Sequence, residues 1–268
     1  IGAEGTLGVV TAASLKLMPS PAARETAVAS ASSPAHALAL LHRIKAATGA
    51  VSAFEIMNRL AVDLVVENVT NVRDPMPEAG LMALIEFEAV HPEGLRDMVE
   101  ATLAAALDAG EARNVLIAEN ASQARDFWAV REHISAGHRP EGAQANHDVS
   151  VPVSMTPTFL READAAMQAI CPGVRIVAFG HMGDGNLHYA LLQPKGADPA
   201  RFPGEALTQQ VYAIATGLGG SISAEHGIGV TRTGDLVRFK DGESLALMRA
   251  LKRALDPKGV MNPRALLP

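Results

Sequence analysis

The chain of 268 residues carries 23 basic and 29 acidic side chains, a net charge of −6, with 48% apolar and 19% charged residues. This is ordinary globular composition, long enough for one large or two small domains with a sizeable core; the acidic balance argues against nucleic acid as a partner, and no apolar run is long enough for a transmembrane segment. The lone Cys171 excludes an intrachain disulfide framework and fits a reducing compartment, the cytoplasm.

The chain begins at Ile1 inside a glycine-rich pattern, so an N-terminal portion is expected to precede it. "IGAEGTLGVVTAASLKLMPSP" reads as a turn and a β-strand, with β-branched Val9, Val10 and Thr11, stopped by Pro19 and Pro21. "ETAVASAS" is a strand. "SPAHALALLHRIKAATGA" is a helix with Ser33 as N-cap, Pro34 at its first position and Gly49 as its stop. "VSAFEIMN" is a strand whose Asn58 caps the helix "RLAVDLVVENV". "LMALIEFEAV" is a strong strand, followed by an amphipathic helix that Gly110 closes and by the strand "NVLIAE".

A long helix is expected from about Ser122 to Gly137, then the strand "HDVSVPV" and the helix "MTPTFLREADAAMQAI", with Cys171 as a small buried hydrophobe near its end. "GVRIVAFG" and residues 187–192 are strands around a tight loop. "RFPGEALTQQVYAIATGLGG" is a helix, "SISAEHGIGVTR" begins as a strand, and "DGESLALMRALKRAL" is a final helix before the turn-rich tail "DPKGVMNPRALLP". This alternation favours an α+β fold: an antiparallel sheet with helices on one face, arranged as two ferredoxin-like halves sharing one sheet.

Chemistry concentrates in three stretches. In "FGHMGDGNLHYA" the glycines allow a hairpin that brings His181 and His188 to the same side, while Asp184 and Asn186 fold the loop. In "GGSISAEHGIGV", Glu225 and His226 sit between glycines. Two imidazoles and a carboxylate are a common donor set for a divalent metal. Neighbours in an extended chain point opposite ways, so one of Glu225 and His226 would ligate while the other faces the reacting centre. In "DFWAVREHISAGH", Trp128, Arg131 and Ser135 share a helix face. Arg131 reads either as a carboxylate clamp or as a surface partner of Glu132 or Asp126. His133 and His138 read as solvated, and His147 as a weaker site candidate.

"GAEGTLGVVTAASLKLMP", "WAVREHI", "HDVSVPVS", "GHMGDGNLH", "SAEHGIG" and "DPKGVMNP" occur in this order. In this the chain resembles FAD-linked oxidases of the vanillyl-alcohol-oxidase superfamily, of the D-lactate, D-2-hydroxyglutarate and glycolate dehydrogenase type. The resemblance covers essentially the whole chain. It implies that residues 1–23 are the final strand of an FAD-binding domain, that 24–235 form a substrate or cap domain, and that 236–268 are a helix and tail packing toward the FAD domain. It implies that Gly2, Gly5, Thr6, Gly8, Val9 and Asn262 line the FAD. His181, His188 and Glu225 would hold a divalent metal, zinc in the hydroxyglutarate type. His226 would be the general base, and Arg131 would bind the carboxylate of a small 2-hydroxy acid oxidised to a 2-oxo acid. The electron acceptor is not specified, and a homodimer and a peripheral place at a membrane are both compatible with the resemblance.

Three positions depart from that pattern. Asn146 stands where relatives of the hydroxyglutarate type commonly carry lysine, Ala190 where they commonly carry asparagine, and Ser135 where threonine is frequent. These belong to the implied carboxylate-binding set, so a different hydroxy acid, or weaker binding of a second carboxylate, is expected. From the residues alone, a metal-dependent hydrolase and a non-catalytic binding fragment are the alternatives.

Overall fold

In the computed structural model, which describes residues 1–267, the chain runs β1 (Ala23–Ala31), α1 (Pro34–Thr48), β2 (Val51–Asn58), α2 (Arg59–Asn68), β3 (Leu81–Ala89), α3 (Leu95–Asp108) and β4 (Asn114–Ile117). There follow α4 (Ala121–Glu132), α5 (Ile134–His138), β5 (Gln144–Ser150), α6 (Thr156–Ile170), β6 (Arg175–His181), β7 (Asn186–Leu192), α7 (Gly204–Gly217), α8 (Thr233–Phe239) and α9 (Gly242–Leu255). The strands form one sheet of seven, in the order β4-β1-β3-β2-β6-β7-β5, and every pairing is antiparallel.

The order resolves into two copies of one plan. β1-α1-β2-β3-α3-β4 gives the arrangement β4-β1-β3-β2, a ferredoxin-like unit. β5-α6-β6-β7-α7 repeats it in mirror order and joins the first copy by the β2–β6 pairing. Asn58 secures that seam. Its Oδ1 accepts from Ala61 N (3.1 Å) as the helix cap and from Ala178 N (3.2 Å), while its Nδ2 donates to the Ile176 carbonyl at 2.7 Å. The second copy lacks a full fourth strand. Where one would follow α7, a single bridge joins Ser150 to Ser221, and the chain then turns away over the sheet edge.

The helices cover both faces of the sheet rather than one. Ala83, Ile85 and Phe87 of β3 join the core under α1, α3, α6 and α7; Met82 and Leu84 join a second core under α2, α4 and α5. The sequence carries the reason: "LMALI" is continuously apolar, and a strand buried on both sides shows no alternation. The second cover is partial. α2 and α4 pack over β1, β3, β2 and β6, and leave the β7–β5 end of that face open.

Two other expectations change. No strand forms over 7–18; Val9, Val10, Leu15, Leu17 and Met18 are exposed, because no neighbouring strand offers them hydrogen bonds. The long helix expected over 122–137 divides at His133, the junction of α4 and α5. There Gly137 seats against the backbone of Val65, only 2.9 Å from where a Cβ would lie, so α5 tilts onto α2. α8 docks on α7 through Phe239 against Tyr212, ring centroids 5.8 Å apart. Cys171 is half-buried at the end of α6. Among the described residues no helix is long and apolar enough to cross a membrane.

Candidate functional site

The open end of the second face is where the chemistry collects. The β6–β7 hairpin is held tight by two close approaches: a Cβ at Gly180 would overlap the Asn186 carbonyl, and one at Gly185 the Val151 carbonyl. Asp184 Oδ1 accepts from Asn186 N at 3.0 Å, as the loop pattern suggested. His181 ends β6 and His188 lies on β7, on the face shared with Phe179 and Ala190. Their rings stand 5.9 Å apart.

Beyond Ser221 the chain is a turn rather than a strand, and it carries Glu225 and His226 to the same face. Asp148, buried on β5, directs this turn: its Oδ2 accepts from Glu225 N at 2.9 Å and from His226 N at 2.8 Å. Glu225 Oε1 thereby comes within 3.4 Å of His188 Nε2. Donor atoms of His181, His188 and Glu225 all lie within 4.8 Å of one another, a spacing that a divalent cation can bridge. The His226 ring stacks on His188, centroids 5.7 Å apart, and is 63% exposed. Both members of the Glu-His pair therefore flank His188, because a turn does not impose the opposed directions of extended chain.

A buried carboxylate stands behind each histidine of the proposed donor set. Glu55 on β2 pairs with His181 Nδ1 and, through its other oxygen, accepts from Arg131 Nε at 2.6 Å. Burial pushes the Glu55 carboxyl up, but His181 and Arg131 together hold it below its usual range. The hydrogen bond to Glu55 raises His181 against the opposing effect of burial. Asp148 Oδ1, buried with no hydrogen-bond partner, lies 3.7 Å from His188 Nδ1. Burial, then the charge of Arg131, lowers His188, which favours the neutral imidazole that a metal requires. Glu55 on His181 Nδ1 is the arrangement that orients a metal-binding histidine, and with Asp148 on the Nδ1 side of His188 both Nε2 atoms are left for a ligand. The residues present fit a divalent cation.

Arg131 thus has a partner that neither sequence reading named. Its guanidinium rests on Phe179, 4.8 Å from the ring centroid, and no described residue accepts a hydrogen bond from its two Nη nitrogens. It lines one cleft with Glu55, Trp128 and His181. A second cleft, about 470 Å³, contains Ser135, Asn146, His188, Ala190 and His226. Asn146 and Ala190 face each other across the β5–β7 pairing, so two of the three departures fall at one point on the cleft wall.

The remaining histidines separate. His147 is buried on the opposite face, bonded to the Tyr189 carbonyl (2.7 Å) and Thr208 Oγ1 (2.9 Å), and belongs to the core. Burial pushes it down to about 4. The unfolded chain takes up a proton near pH 6.5 and the folded chain near 4, so His147 stabilises fully above 6.5 and loses its contribution as pH falls toward 4. Urea titrations should show about 3 kcal/mol lost across that window, on the scale of 1.36 kcal/mol per pKa unit, and a smaller loss in His147→Gln. His138 is buried rather than solvated, because α5 folds down toward β5, and its Nδ1 meets Gln144 Oε1 at 2.9 Å. His133 turns back to the Ala129 carbonyl, 2.7 Å away.

The N-terminal residues reach the same neighbourhood. The Glu4 carboxylate accepts from Ile228 N (2.7 Å) and Gly229 N (2.8 Å), bracing the turn that carries His226. Asn262 Nδ2 donates to the Glu4 carbonyl at 2.6 Å, and Lys252 Nζ to the Thr6 and Met261 carbonyls, both at 2.7 Å. Gly2 lines a cleft with Glu225 and His226, Gly5 lies against Asn262, Thr6 is buried, and Val9 is exposed with Gly8 beside it.

Residues 20–266 match the family described as FAD linked oxidases, C-terminal domain. The mitochondrial D-2-hydroxyglutarate dehydrogenase of Arabidopsis thaliana is 32% identical over 270 residues, covering 100% of this chain and 47% of the relative. The D-2-hydroxyglutarate dehydrogenase of Stutzerimonas stutzeri (strain A1501) is 32% identical over 265 residues, covering 98% and 56%. The chain spans about half the length of the curated relatives it matches. Among solved structures, 4-ethylphenol oxidase from Gulosibacter chungangensis shares the fold with a TM-score of 0.60 and 16% identity, over 95% of this chain and 56% of that one.

Proposed function

The chain belongs to the family of FAD-linked oxidases as their C-terminal domain, and from that membership we propose that it is the substrate- and metal-binding portion of a flavin-dependent dehydrogenase acting on a D-2-hydroxy acid. One observation carries the reading: His181, His188 and Glu225 converge on a point that His226 borders, at the open end of the sheet. His181, His188 and Glu225 would hold a divalent cation, and zinc suits two imidazoles with a carboxylate. When bound, that cation polarises the substrate oxygens and makes the hydroxyl more acidic. When bound, FAD supplies the hydride acceptor.

The chain's own residues do the rest. His226 accepts the hydroxyl proton at a ring nitrogen. Its Nδ1 lies 3.4 Å from Asp148 Oδ2, so Asp148 orients the ring and leaves Nε2 for the proton. Arg131, held by Glu55, binds the carboxylate next to the hydroxyl through its Nη nitrogens. Residues 1–23 add a final strand to the flavin-binding domain, where the exposed apolar side chains from Val9 to Met18 find cover. Gly2, Gly5, Thr6, Gly8, Val9 and Asn262 face the flavin, and 236–268 pack toward that domain.

The test is anaerobic mixing of the full-length protein with D-2-hydroxy acids while flavin absorbance is followed. Bleaching, with a 2-oxo acid as product, is the expected result. A protein that carries no flavin and hydrolyses an ester or amide instead would overturn the reading in favour of the hydrolase.

A further inference from the structure

The cleft that holds His188 and His226 has an unpaired cation at its rim. Arg232 lines it, on the turn that follows the Glu-His pair. Its Nη1 is out of reach of solvent and has no hydrogen-bond partner among the described residues. Its Nη2 makes a single long contact, 3.4 Å to the Asn146 carbonyl. Among the described residues no carboxylate forms an ion pair with Arg232, although Arg24, Arg43, Arg59, Arg96 and Arg175 each have one. Arg232 is half-buried, and its one buried donor nitrogen without a partner is costly; a ligand bound in the cleft would give the guanidinium an acceptor.

The surroundings fix the sign of that ligand. Arg139 lines the same cleft. The acidic residue there, Asp148, is buried: its Oδ2 accepts from two backbone N–H groups and its Oδ1 lies 3.7 Å from His188 Nδ1. Ala190, opposite Asn146, offers no hydrogen bond and takes little room. A small anion therefore fits beside Arg232, in the same cleft as the proposed proton acceptor.

We propose that Arg232 is a specificity-determining residue that binds a second anionic group of the substrate, so that the site favours 2-hydroxy acids with a distal carboxylate over those ending in a methyl. This rests on the functional reading above and deepens it. The planar fork of arginine suits bidentate binding of a carboxylate. It runs against the expectation of weaker second-carboxylate binding drawn from Asn146 and Ala190, because the cation would be supplied from the turn before α8.

The experiment compares kcat/KM of the full-length holoenzyme on D-2-hydroxyglutarate and on D-2-hydroxybutyrate, for wild type, Arg232→Met and Arg232→Lys. The expected result is a wild-type preference for the diacid and a diacid-to-monoacid ratio that falls about 30-fold or more in Arg232→Met, the range for losing charge-assisted hydrogen bonds. Arg232→Lys should recover part of the ratio. A ratio unchanged in Arg232→Met while both substrates weaken equally overturns the inference and leaves the dehydrogenase reading standing. So does a wild-type preference for the monoacid. A wild type that reduces its flavin with neither acid overturns both. Titration with glutarate, an inert diacid, gives a second readout: its Kd should rise at least about 10-fold in Arg232→Met, and an unchanged Kd contradicts the assignment.

Discussion

Changing His226 to alanine in the full-length protein should lower kcat for 2-hydroxy-acid oxidation by about 10²–10⁴-fold, the usual range for removing a general base. Bound metal should stay near the wild-type level, because His226 lies outside the His181, His188 and Glu225 donor set. His188→Ala should lose both, since that ring contributes a donor and supports the His226 ring by stacking. The two variants thus separate proton transfer from cation binding. The comparison needs kcat at saturating substrate and metal content by elemental analysis on the same preparations. Equal metal loss in both variants would make His226 a ligand and remove it as the base.

The second large effect is expected from Glu55→Gln. Glu55 is 3% exposed and holds two partners at once, Arg131 through one oxygen and His181 through the other. The amide keeps the shape but removes the charge. Arg131 is then a largely buried cation without a counter-ion, and breaking such a pair costs about 3 kcal/mol or more. His181 loses the acceptor that fixes its Nδ1–H, so metal affinity should fall about 10–100-fold. Urea unfolding measures the first effect and competitive metal titration the second. Stability lost with metal affinity intact would reduce Glu55 to a structural ion pair with Arg131.

The sequence pattern made much of this visible. The helix caps Ser33 and Asn58 and the stop at Gly49 stand where the residue types placed them. The two ferredoxin-like halves followed from the strand and helix alternation. The glycines around His181, His188 and the Glu225–His226 pair marked them as candidates, and only the family resemblance implied which member of that pair would be a ligand. Glu55 was not. It sits mid-strand in "VSAFEIMN", more than a hundred residues from His181, and only the β2–β6 register, Glu55 opposite His181, brings them together. One signal was available: a lone carboxylate in an otherwise apolar strand needs a buried partner. Asp148 was hidden in the same way inside "HDVSVPV". The second layer of helices was hidden because an alternation count does not tell which side of a doubly buried strand each helix covers. The strand expected at 7–18 did not form because β character without a neighbouring strand leaves its hydrogen bonds unmade.

The most direct test of the central claim is the rate of flavin reduction by a D-2-hydroxy acid before and after metal removal from the full-length protein. After exhaustive chelation, single-turnover reduction should slow at least about 10²-fold, the scale of losing several kcal/mol of charge stabilisation. One equivalent of zinc per chain should restore it in wild type and not in His188→Ala. A reduction rate unchanged once the metal is gone would contradict the account, and would leave His181, His188 and Glu225 without the role assigned to them.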